Sequence, residues 1–322
     1  MGYSWGVTKA ERIDSILRDV EGLLSECRLC GHRCGVNRAD TPGFCRTTSP
    51  GLGHARVSSH NLHFGEEPPL VGRGGSGTVF FSRCNLRCVF CQNHQISQEG
   101  LGREVPYQEL TSAFLLLQGE GAENVNLVTP THYIYPILLA LRDAYRRGLN
   151  VPLVYNTNGY DSLELIELLD GIVDVYLPDM KYMHADHAAK YSSAKDYPAV
   201  AKAALKEMYR QVGPVAASRG VAKRGVIIRH LILPNNLAGS YDFLLWLKDE
   251  GMLEATLSLM SQYSPQYRAG EFNELNGRIP RSEYREIVRY AVELGFKHLL
   301  TQGLDSSDVY LPDFRRDAPF SR

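Results

Sequence analysis

The sequence lacks any run of about 18 consecutive apolar residues, the length of a transmembrane helix, although 44% of its 322 residues are hydrophobic. Its first residues, Met1 to Gly6, lack the apolar segment of a secretory signal peptide. An excess of charge of one sign is also missing, because the formal net charge is -1 with acids and bases interspersed. These absences give no electrostatic case for nucleic acid or a membrane as a partner, and we expect a cytoplasmic protein.

Cysteine is absent after Cys91. All seven cysteines lie between Cys27 and Cys91, in two tight groups. An odd number of cysteines, clustered in this way, does not match a disulfide framework. In a chain without export signals the clustering indicates metal binding in a reducing, oxygen-poor cytoplasm.

The second cysteine group has the spacing CxxxCxxC and consists of Cys84, Cys88 and Cys91. It directly follows 78–81, a β-branched and aromatic run that predicts a strand. Three thiolates on one short loop suit a soft metal centre, whereas four usually close a 4Fe-4S cluster. One iron would therefore stay open to a small molecule. The alternatives are a zinc knuckle and three unrelated buried cysteines.

The first cysteine group has the spacing CxxCxxxC followed by a fourth cysteine, with glycines between them that let the backbone wrap closely round an ion. Its members are Cys27, Cys30, Cys34 and Cys45. Four thiolates fit structural zinc or an auxiliary 4Fe-4S cluster equally well, and reduced structural cysteines are the alternative. We expect His32 at the surface, because basic residues Arg33 and Arg38 lie close to it in the sequence.

A first helix is predicted from Thr8, whose hydroxyl can cap it while Glu11 reaches back. Segment 59–69 is polar and predicts a loop over the mouth of the fold, and its Glu66 and Glu67 either contact substrate or form a solvated turn. Beyond the second cysteine group, apolar strands alternate with amphipathic helices. Predicted strands are 124–129, 151–156, 173–177, 226–233 and 255–262. Predicted helices are 107–118, 134–147, 162–169, 198–212, 241–249 and 281–294.

With the strand before Cys84 these segments make six βα units, which predict an α/β fold with a parallel sheet curled into a partial barrel. In such folds, ligands bind where the strands end. The polar groups found there suit a zwitterionic, sugar-bearing ligand. They are Thr129, Thr131, Asn156, Asn158, Asp179, Lys181 and Arg229. After the fourth strand, His184, Asp186 and His187 predict a substrate-facing or solvated loop rather than a metal site.

Residues 84–93, Cys-Asn-Leu-Arg-Cys-Val-Phe-Cys-Gln-Asn, resemble the cluster loop of radical S-adenosylmethionine (SAM) enzymes. Within that superfamily they are most similar to the activating enzymes of pyruvate formate-lyase. The resemblance implies a (β/α)6 partial TIM-like barrel with an N-terminal Cys-rich metal-binding extension. It also implies a 4Fe-4S cluster on the three thiols and SAM at the open iron. Asn93 and Lys181 match SAM-contacting residues of that family, and Arg229 begins an Arg-x-x-x-x-Pro run like its fifth strand.

Two positions depart from the family pattern. Where the family's second strand ends in a Gly-Gly-Glu motif that holds the amino group of SAM, this sequence has Thr129-Pro130-Thr131, without a carboxylate. Asn156 stands where the family has an aspartate of its acidic cation site, of which Asp179 remains. These departures affect the SAM contacts and the substrate.

The resemblance implies that the enzyme reductively cleaves SAM to a deoxyadenosyl radical, which abstracts hydrogen. It also implies an electron donor such as flavodoxin or ferredoxin, and a glycyl radical enzyme as the protein substrate. Radical modification of a peptide or small molecule is one alternative, and a non-catalytic iron-sulfur electron-transfer protein is another. We expect three parts: residues 1–70 as the helix and four-cysteine extension, 71–300 as the barrel, and 301–322 as a tail. In the tail, Tyr310, Phe314 and Phe320 are expected to close the barrel mouth.

Overall fold

The computed structural model describes residues 7–48, 52–303, 311–316 and 319–320, so that Met1 to Gly6 and Tyr310 lie outside the described residues. Its α-helices are α1 (Lys9–Ser25), α2 (Pro68–Val71), α3 (His94–Ser97), α4 (Tyr107–Gly119), α5 (Ile134–Arg146), α6 (Leu163–Leu168), α7 (Ala185–Ser192), α8 (Tyr197–Val212), α9 (Ser240–Asp249) and α10 (Arg281–Leu294). Its strands are β1 (His54–His63), β2 (Ser76–Phe81), β3 (Arg103–Pro106), β4 (Val125–Val128), β5 (Leu153–Thr157), β6 (Val175–Pro178), β7 (Ala216–Ser218), β8 (Val221–Leu231), β9 (Thr256–Met260) and β10 (His298–Thr301). Within these ranges no helix has the length and apolar character that crossing a membrane requires.

One open, mostly parallel sheet organises the described chain. The strands pair in the order β10-β9-β8-β6-β5-β4-β2-β1-β3, and β7 pairs with β8. From β10 to β2 every neighbouring pair is parallel, so these strands end at a common edge. All six predicted strands are present, which confirms the α/β partial barrel. The sequence analysis missed β10, which extends the parallel series.

Two predicted loops are wrong. Residues 59–63 belong to β1, which pairs antiparallel with β2. The side chains of β1 alternate irregularly between buried and half-exposed, so the sequence carries no clean two-residue period. Asp186 and His187 lie in α7, with His184 at its N-cap. Because α7 has only eight residues, its apolar stripe is too short to stand out among polar neighbours.

The first helix begins as predicted. Thr8 Oγ1 accepts from the Glu11 amide at 3.3 Å, and the Thr8 amide donates to Glu11 Oε2 at 2.7 Å, which completes a capping box. Ile13 and Ile16 on the apolar face of α1 are fully buried and belong to the same core as Ile137 of α5. The N-terminal helix is therefore packed on the barrel, and the boundaries after residues 70 and 300 stay predictions.

Inside the barrel, a small apolar cluster separates one end of the lumen from the polar strand ends. Leu70 of α2 is fully buried there against Val154 of β5, Val175 and Leu177 of β6 and Ile227 of β8. Successive side chains of a strand point to opposite faces, so these residues define which positions face the lumen. The polar residues two positions farther along each strand face it as well.

Candidate functional site

The thiols Cys84, Cys88 and Cys91 lie on the loop that leaves the carboxyl end of β2 and leads into α3. Backbone hydrogen bonds hold this loop in place. The amide of Val89, for example, donates to the carbonyl of Tyr191 in α7 at 2.9 Å. The loop therefore has a defined position at the edge where the parallel strands end.

Each of these thiols has at least one polar side chain within hydrogen-bond distance. The pairs are Asn158 Nδ2 to Cys84 Sγ at 3.3 Å, Ser192 Oγ to Cys88 Sγ at 3.0 Å, and Ser97 Oγ to Cys91 Sγ at 3.2 Å. Asn158 was predicted as a site residue, whereas the two serines were not. Ser192 lies 104 positions from Cys88 along the chain, so no local pattern could have linked them.

Burial keeps the thiols of the loop protonated at neutral pH unless a positive centre binds to them. Burial raises the pKa of Cys84 to about 12 and that of Cys91 to about 11. Burial also raises the pKa of Cys88, against the ammonium of Lys181. A metal ligand must be deprotonated, so a positive centre at these thiols would replace their protons.

The spacing of the thiols bears on which centre they fit. Among the described residues, no three cysteine, histidine or carboxylate side chains are grouped so as to hold a metal ion. The thiolates of a 4Fe-4S cluster each bond to a different iron, so they need not converge on one point as the ligands of a zinc ion do. Three thiols on one loop, each with a hydrogen-bond partner, suit such a cluster.

The four N-terminal cysteines follow α1. Cys27, Cys30 and Cys45 are buried and Cys34 is half-buried. Burial raises the pKa of Cys30, and the nearby thiols of Cys45 and Cys27 raise it further. Polar donors lie against the other sulfurs, namely Arg38 Nη1 to Cys27 Sγ at 3.7 Å, Phe44 N to Cys34 Sγ at 3.3 Å and Thr47 Oγ1 to Cys45 Sγ at 3.3 Å. Such donors support thiolates in metal sites, and the second metal centre stays a prediction.

Direct contacts join the two cysteine groups. His32 Nε2 lies 2.8 Å from the carbonyl oxygen of Asn85, next to Cys84, and the His32 ring stacks on Phe44 at 3.8 Å. The Arg87 guanidinium lies over the Phe44 ring, 4.5 Å from its centroid. His32 is therefore half-buried and not the surface residue expected, and burial lowers its pKa.

Four of the predicted strand-end residues form a largely buried polar network in the lumen. Arg229 Nε donates to Asp179 Oδ1 at 2.8 Å, and Arg229 Nη2 donates to Asn156 Oδ1 at 2.7 Å. Lys181 Nζ donates to the other oxygen of Asp179 at 2.6 Å. Each of these residues follows an inward-facing apolar residue by two or four positions, which explains why they converge.

Burial alone would raise the pKa of Asp179, but the cations Arg229 and Lys181 outweigh it and hold the pKa below its ordinary value. Conversely, burial would lower the pKa values of Lys181 and Arg229, and the Asp179 carboxylate raises both instead. The three groups therefore stay ionised together through the neutral range. They present two cations and one carboxylate to a ligand.

Other predicted residues lie elsewhere. Thr131 is buried and donates to the fully buried Asp161 at 2.7 Å, an acid that the sequence analysis missed. Thr129 is half-buried, and its backbone φ of +60° lies in the left-handed region, which residues other than glycine rarely adopt. Asn158 bonds to Asn85 as well as to Cys84, so it supports the thiol loop. Asn93 lies directly after the loop, at the start of α3, and lines the lumen.

The lumen is a cavity of about 770 Å³. Asn93, Asn156 and Arg229 line it, together with Glu66 and Glu67 from the turn between β1 and α2. Glu66 exposes 9% of its side chain and Glu67 is 8% exposed, so they do not form a solvated turn. The remaining walls carry polar side chains together with an apolar part, which is formed by Phe80, Val128, Met260, Leu299 and Leu300.

Part of the tail reaches the lumen. Phe320 lines the cavity, and its ring centroid lies 5.4 Å from that of Phe80 and 4.2 Å from that of His63. Phe314 packs on the same Phe80 ring at 5.3 Å. The described tail residues thus cover one side of the barrel opening.

His184, Asp186 and His187 form no site of their own. His184 Nε2 lies 3.1 Å from Asp242 Oδ2, and His187 Nδ1 lies 2.8 Å from the Leu237 carbonyl. About half of the His184 side chain is exposed. These contacts tie the start of α7 to its neighbours.

Comparison with known proteins identifies the family. A family profile described as the radical SAM superfamily matches residues 78–231. An uncharacterized protein of Methanocaldococcus jannaschii, MJ0674, is 32% identical over 300 residues, covering 91% of this chain and 80% of that protein. The crystal structure of HydG, a maturase of the FeFe-hydrogenase, shares 12% identity and a TM-score of 0.40 over 68% of this chain and 54% of that one. This chain spans about half the length of that maturase. The chain belongs to the radical SAM superfamily, whose members are enzymes that use SAM and a 4Fe-4S cluster.

Proposed function

We propose that Cys84, Cys88 and Cys91 hold a 4Fe-4S cluster, that SAM binds in the adjoining lumen, and that the enzyme activates a glycyl radical partner. The observation that carries this proposal is the position of three separately supported thiols at the edge of a lumen lined by charged strand ends. Together, the cluster and SAM supply one-electron cleavage of a carbon-sulfur bond and a radical that removes hydrogen from a substrate. The resemblance of residues 84–93 to activating enzymes supports a protein partner.

The chain's own residues would bind and orient the two groups. Asn158 and Ser192 direct hydrogen-bond donors at two of the sulfurs, and such bonds raise the potential of a cluster. Lys181 and Arg229 offer cations for a carboxylate, and the amides of Asn93 and Asn156 offer donors and acceptors for hydroxyl groups. In this proposal Thr129 and Thr131 take the position of the family's amino-binding motif, although the Thr131 hydroxyl is already bonded to Asp161.

A second candidate function is radical modification of a peptide or small molecule within the lumen. The specific observation in its favour is the aromatic cover formed by Phe314 and Phe320 against Phe80. A glycyl radical partner would have to bring a loop of its own past this cover. A small substrate could instead lie wholly inside a cavity of about 770 Å³.

The first experiment measures SAM cleavage. Anaerobically purified protein, reduced with dithionite and mixed with SAM, is expected to form methionine and deoxyadenosine, because Cys84, Cys88 and Cys91 would hold a cluster that supplies one-electron reduction of SAM. A flavodoxin or ferredoxin is expected to replace dithionite. Product formation is measured by liquid chromatography, with oxidised protein as the control. A protein that carries clusters yet forms neither product would instead be a non-catalytic electron carrier.

A second measurement separates the two enzyme functions. A candidate glycyl radical enzyme is prepared with deuterated glycine and incubated with the reduced enzyme and SAM. Activation of a protein partner predicts deuterium in the deoxyadenosine, measured by mass spectrometry. The same partner without the label is the control. Cleavage of SAM without deuterium transfer from any partner would favour the small-substrate function.

For the N-terminal cysteines we propose a second metal centre, either zinc or an auxiliary cluster. Analysis of iron, sulfide and zinc is expected to give about eight irons for two clusters, or about four irons with one zinc for a structural site. The Cys30→Ala variant is expected to lose only the N-terminal metal, because Cys30 is buried among the other thiols. A Cys30→Ala protein with unchanged metal content would show that these cysteines are structural thiols only.

A further inference from the structure

Glu66 and Glu67, here called the acidic pair, line the lumen near Arg229 of the polar network, and Leu70 of the apolar cluster follows Glu67 by three positions. Glu66 Oε2 is buried and has no hydrogen-bond partner among the described residues. The Arg229 guanidinium lies 3.8 Å from it, beyond hydrogen-bond distance, and its other nitrogens bond to Asp179 and Asn156. A buried carboxylate oxygen without a donor costs free energy unless a ligand or a shared proton supplies one.

The charges around the acidic pair do not balance. Among the described residues of the lumen and its polar network, two cations, Lys181 and Arg229, face three carboxylates, Asp179 and the acidic pair. Burial, opposed by the Arg229 cation and assisted by the charge of Glu66, raises the pKa of Glu67 to about 7. A proton therefore compensates the extra carboxylate near neutral pH. Any positively charged group that enters the lumen can take the place of that proton.

We propose that the acidic pair binds a cationic nitrogen of the substrate, a primary amine or a guanidine carried on an apolar stem. The apolar stem follows from the walls beside the pair, since Phe80, Met260 and Leu299 line the same cavity. The inference rests on the proposed function, because it places the substrate in the lumen next to SAM. It names the chemical class of that substrate.

Proton displacement makes the proposal measurable. Binding of a cation ionises Glu67, so the affinity is expected to fall as the pH drops below about 7 and to level off above it. The other groups that face Glu67 do not titrate in this range. Burial lowers the pKa of His63 to about 4, and Asp179 and Lys181 hold each other ionised.

The experiment is isothermal titration calorimetry on the full chain, purified anaerobically and saturated with SAM. The probe is cadaverine, a diamine with an apolar stem, compared with pentanediol and glutarate of matched length. Cadaverine is expected to bind with release of a proton, measured in buffers of different ionisation enthalpy at pH 8 and pH 6. Glu66→Gln is expected to weaken cadaverine binding about tenfold or more, since it removes a charged acceptor of the ammonium. The control Glu120→Gln, at an exposed carboxylate outside the lumen, is expected to leave the affinity unchanged.

SAM binding by each variant shows whether it has folded, and Glu67→Gln provides a second variant. Equal binding of pentanediol or glutarate, or tighter binding of Mg²⁺ than of cadaverine, would overturn the proposal. So would a parallel loss of SAM affinity in Glu66→Gln, because the pair would then hold the amino group of SAM. If SAM is cleaved but cadaverine does not bind, only this inference fails. If cadaverine binds but SAM is not cleaved, the proposed function fails.

Discussion

Replacing Cys88 by alanine is expected to abolish SAM cleavage, a loss of more than about a hundredfold. Mutation of a residue that merely supports a metal ligand already lowers metal affinity or activity about ten- to a hundredfold, and Cys88 is a proposed ligand itself. Cys88 is buried, and its sulfur accepts the hydroxyl of Ser192 at 3.0 Å. Without this thiol the proposed cluster would keep two protein ligands, and its irons would be exposed to solvent. Iron content, the electron paramagnetic resonance signal with and without SAM, and deoxyadenosine formation are measured on the same anaerobic preparation.

The matched control is Cys34→Ala, at a half-buried thiol of the N-terminal group. It removes one cysteine without touching the loop of residues 84–91, so the SAM-dependent signal is expected to persist. Ser192→Ala tests only the hydrogen bond that Ser192 donates to the Cys88 sulfur. It is expected to keep the cluster and change its potential, because a hydrogen bond to sulfur is lost. A Cys88→Ala protein that still cleaved SAM would refute the assignment of the three thiols.

The fold could be predicted where apolar residues recur along the sequence with a clear period. Buried parallel strands such as β5 and β6 are short apolar runs, and the helices that follow them carry apolar residues at every third or fourth position. The same criterion failed for β1, whose Ser59, His60 and Asn61 are polar and partly exposed. It also failed for β10, which lies at the edge of the sheet and has no fully buried residue.

The site could be predicted where its residues are neighbours in the sequence or follow predicted strands. The cysteine loop and the pair Asp179 and Lys181 are of this kind. Ser192 is not, because only the folding of α7 brings it to the loop. For Glu66 the sequence left two alternatives, substrate contact or a solvated turn, and only the fold places it in the lumen. A serine has no spacing that marks it as a partner of a distant sulfur. Two acids before two prolines resemble a surface turn until the burial of their side chains is known.

The largest expected change in stability is that of Asp179→Asn. Asp179 is the shared partner of two cations, Arg229 at 2.8 Å and Lys181 at 2.6 Å, and the three side chains expose only 15 to 18% of their surface. The substitution keeps the shape but leaves two neighbouring cations with one carboxylate fewer. Breaking a buried ion pair in this way typically costs 3–5 kcal/mol, and the residual exposure of these groups favours the lower end, about 3 kcal/mol. Urea unfolding of both proteins at pH 7 measures the difference.

The pH dependence of that difference tests the electrostatic cause. Because the cations hold the pKa of Asp179 below its ordinary value, its stabilisation is present above the unfolded-state pKa of about 3.9 and is lost as the pH falls through the lower folded-state pKa. The gap between the wild type and Asp179→Asn is therefore expected to narrow below about pH 4. The control is Asp170→Asn, which breaks an exposed pair with Arg210 and is expected to cost less than about 1 kcal/mol. If Asp179→Asn lowered the free energy of unfolding no more than the control does, or by an amount independent of pH, the ion pairs of Asp179 with the lumen cations would not stabilise the fold.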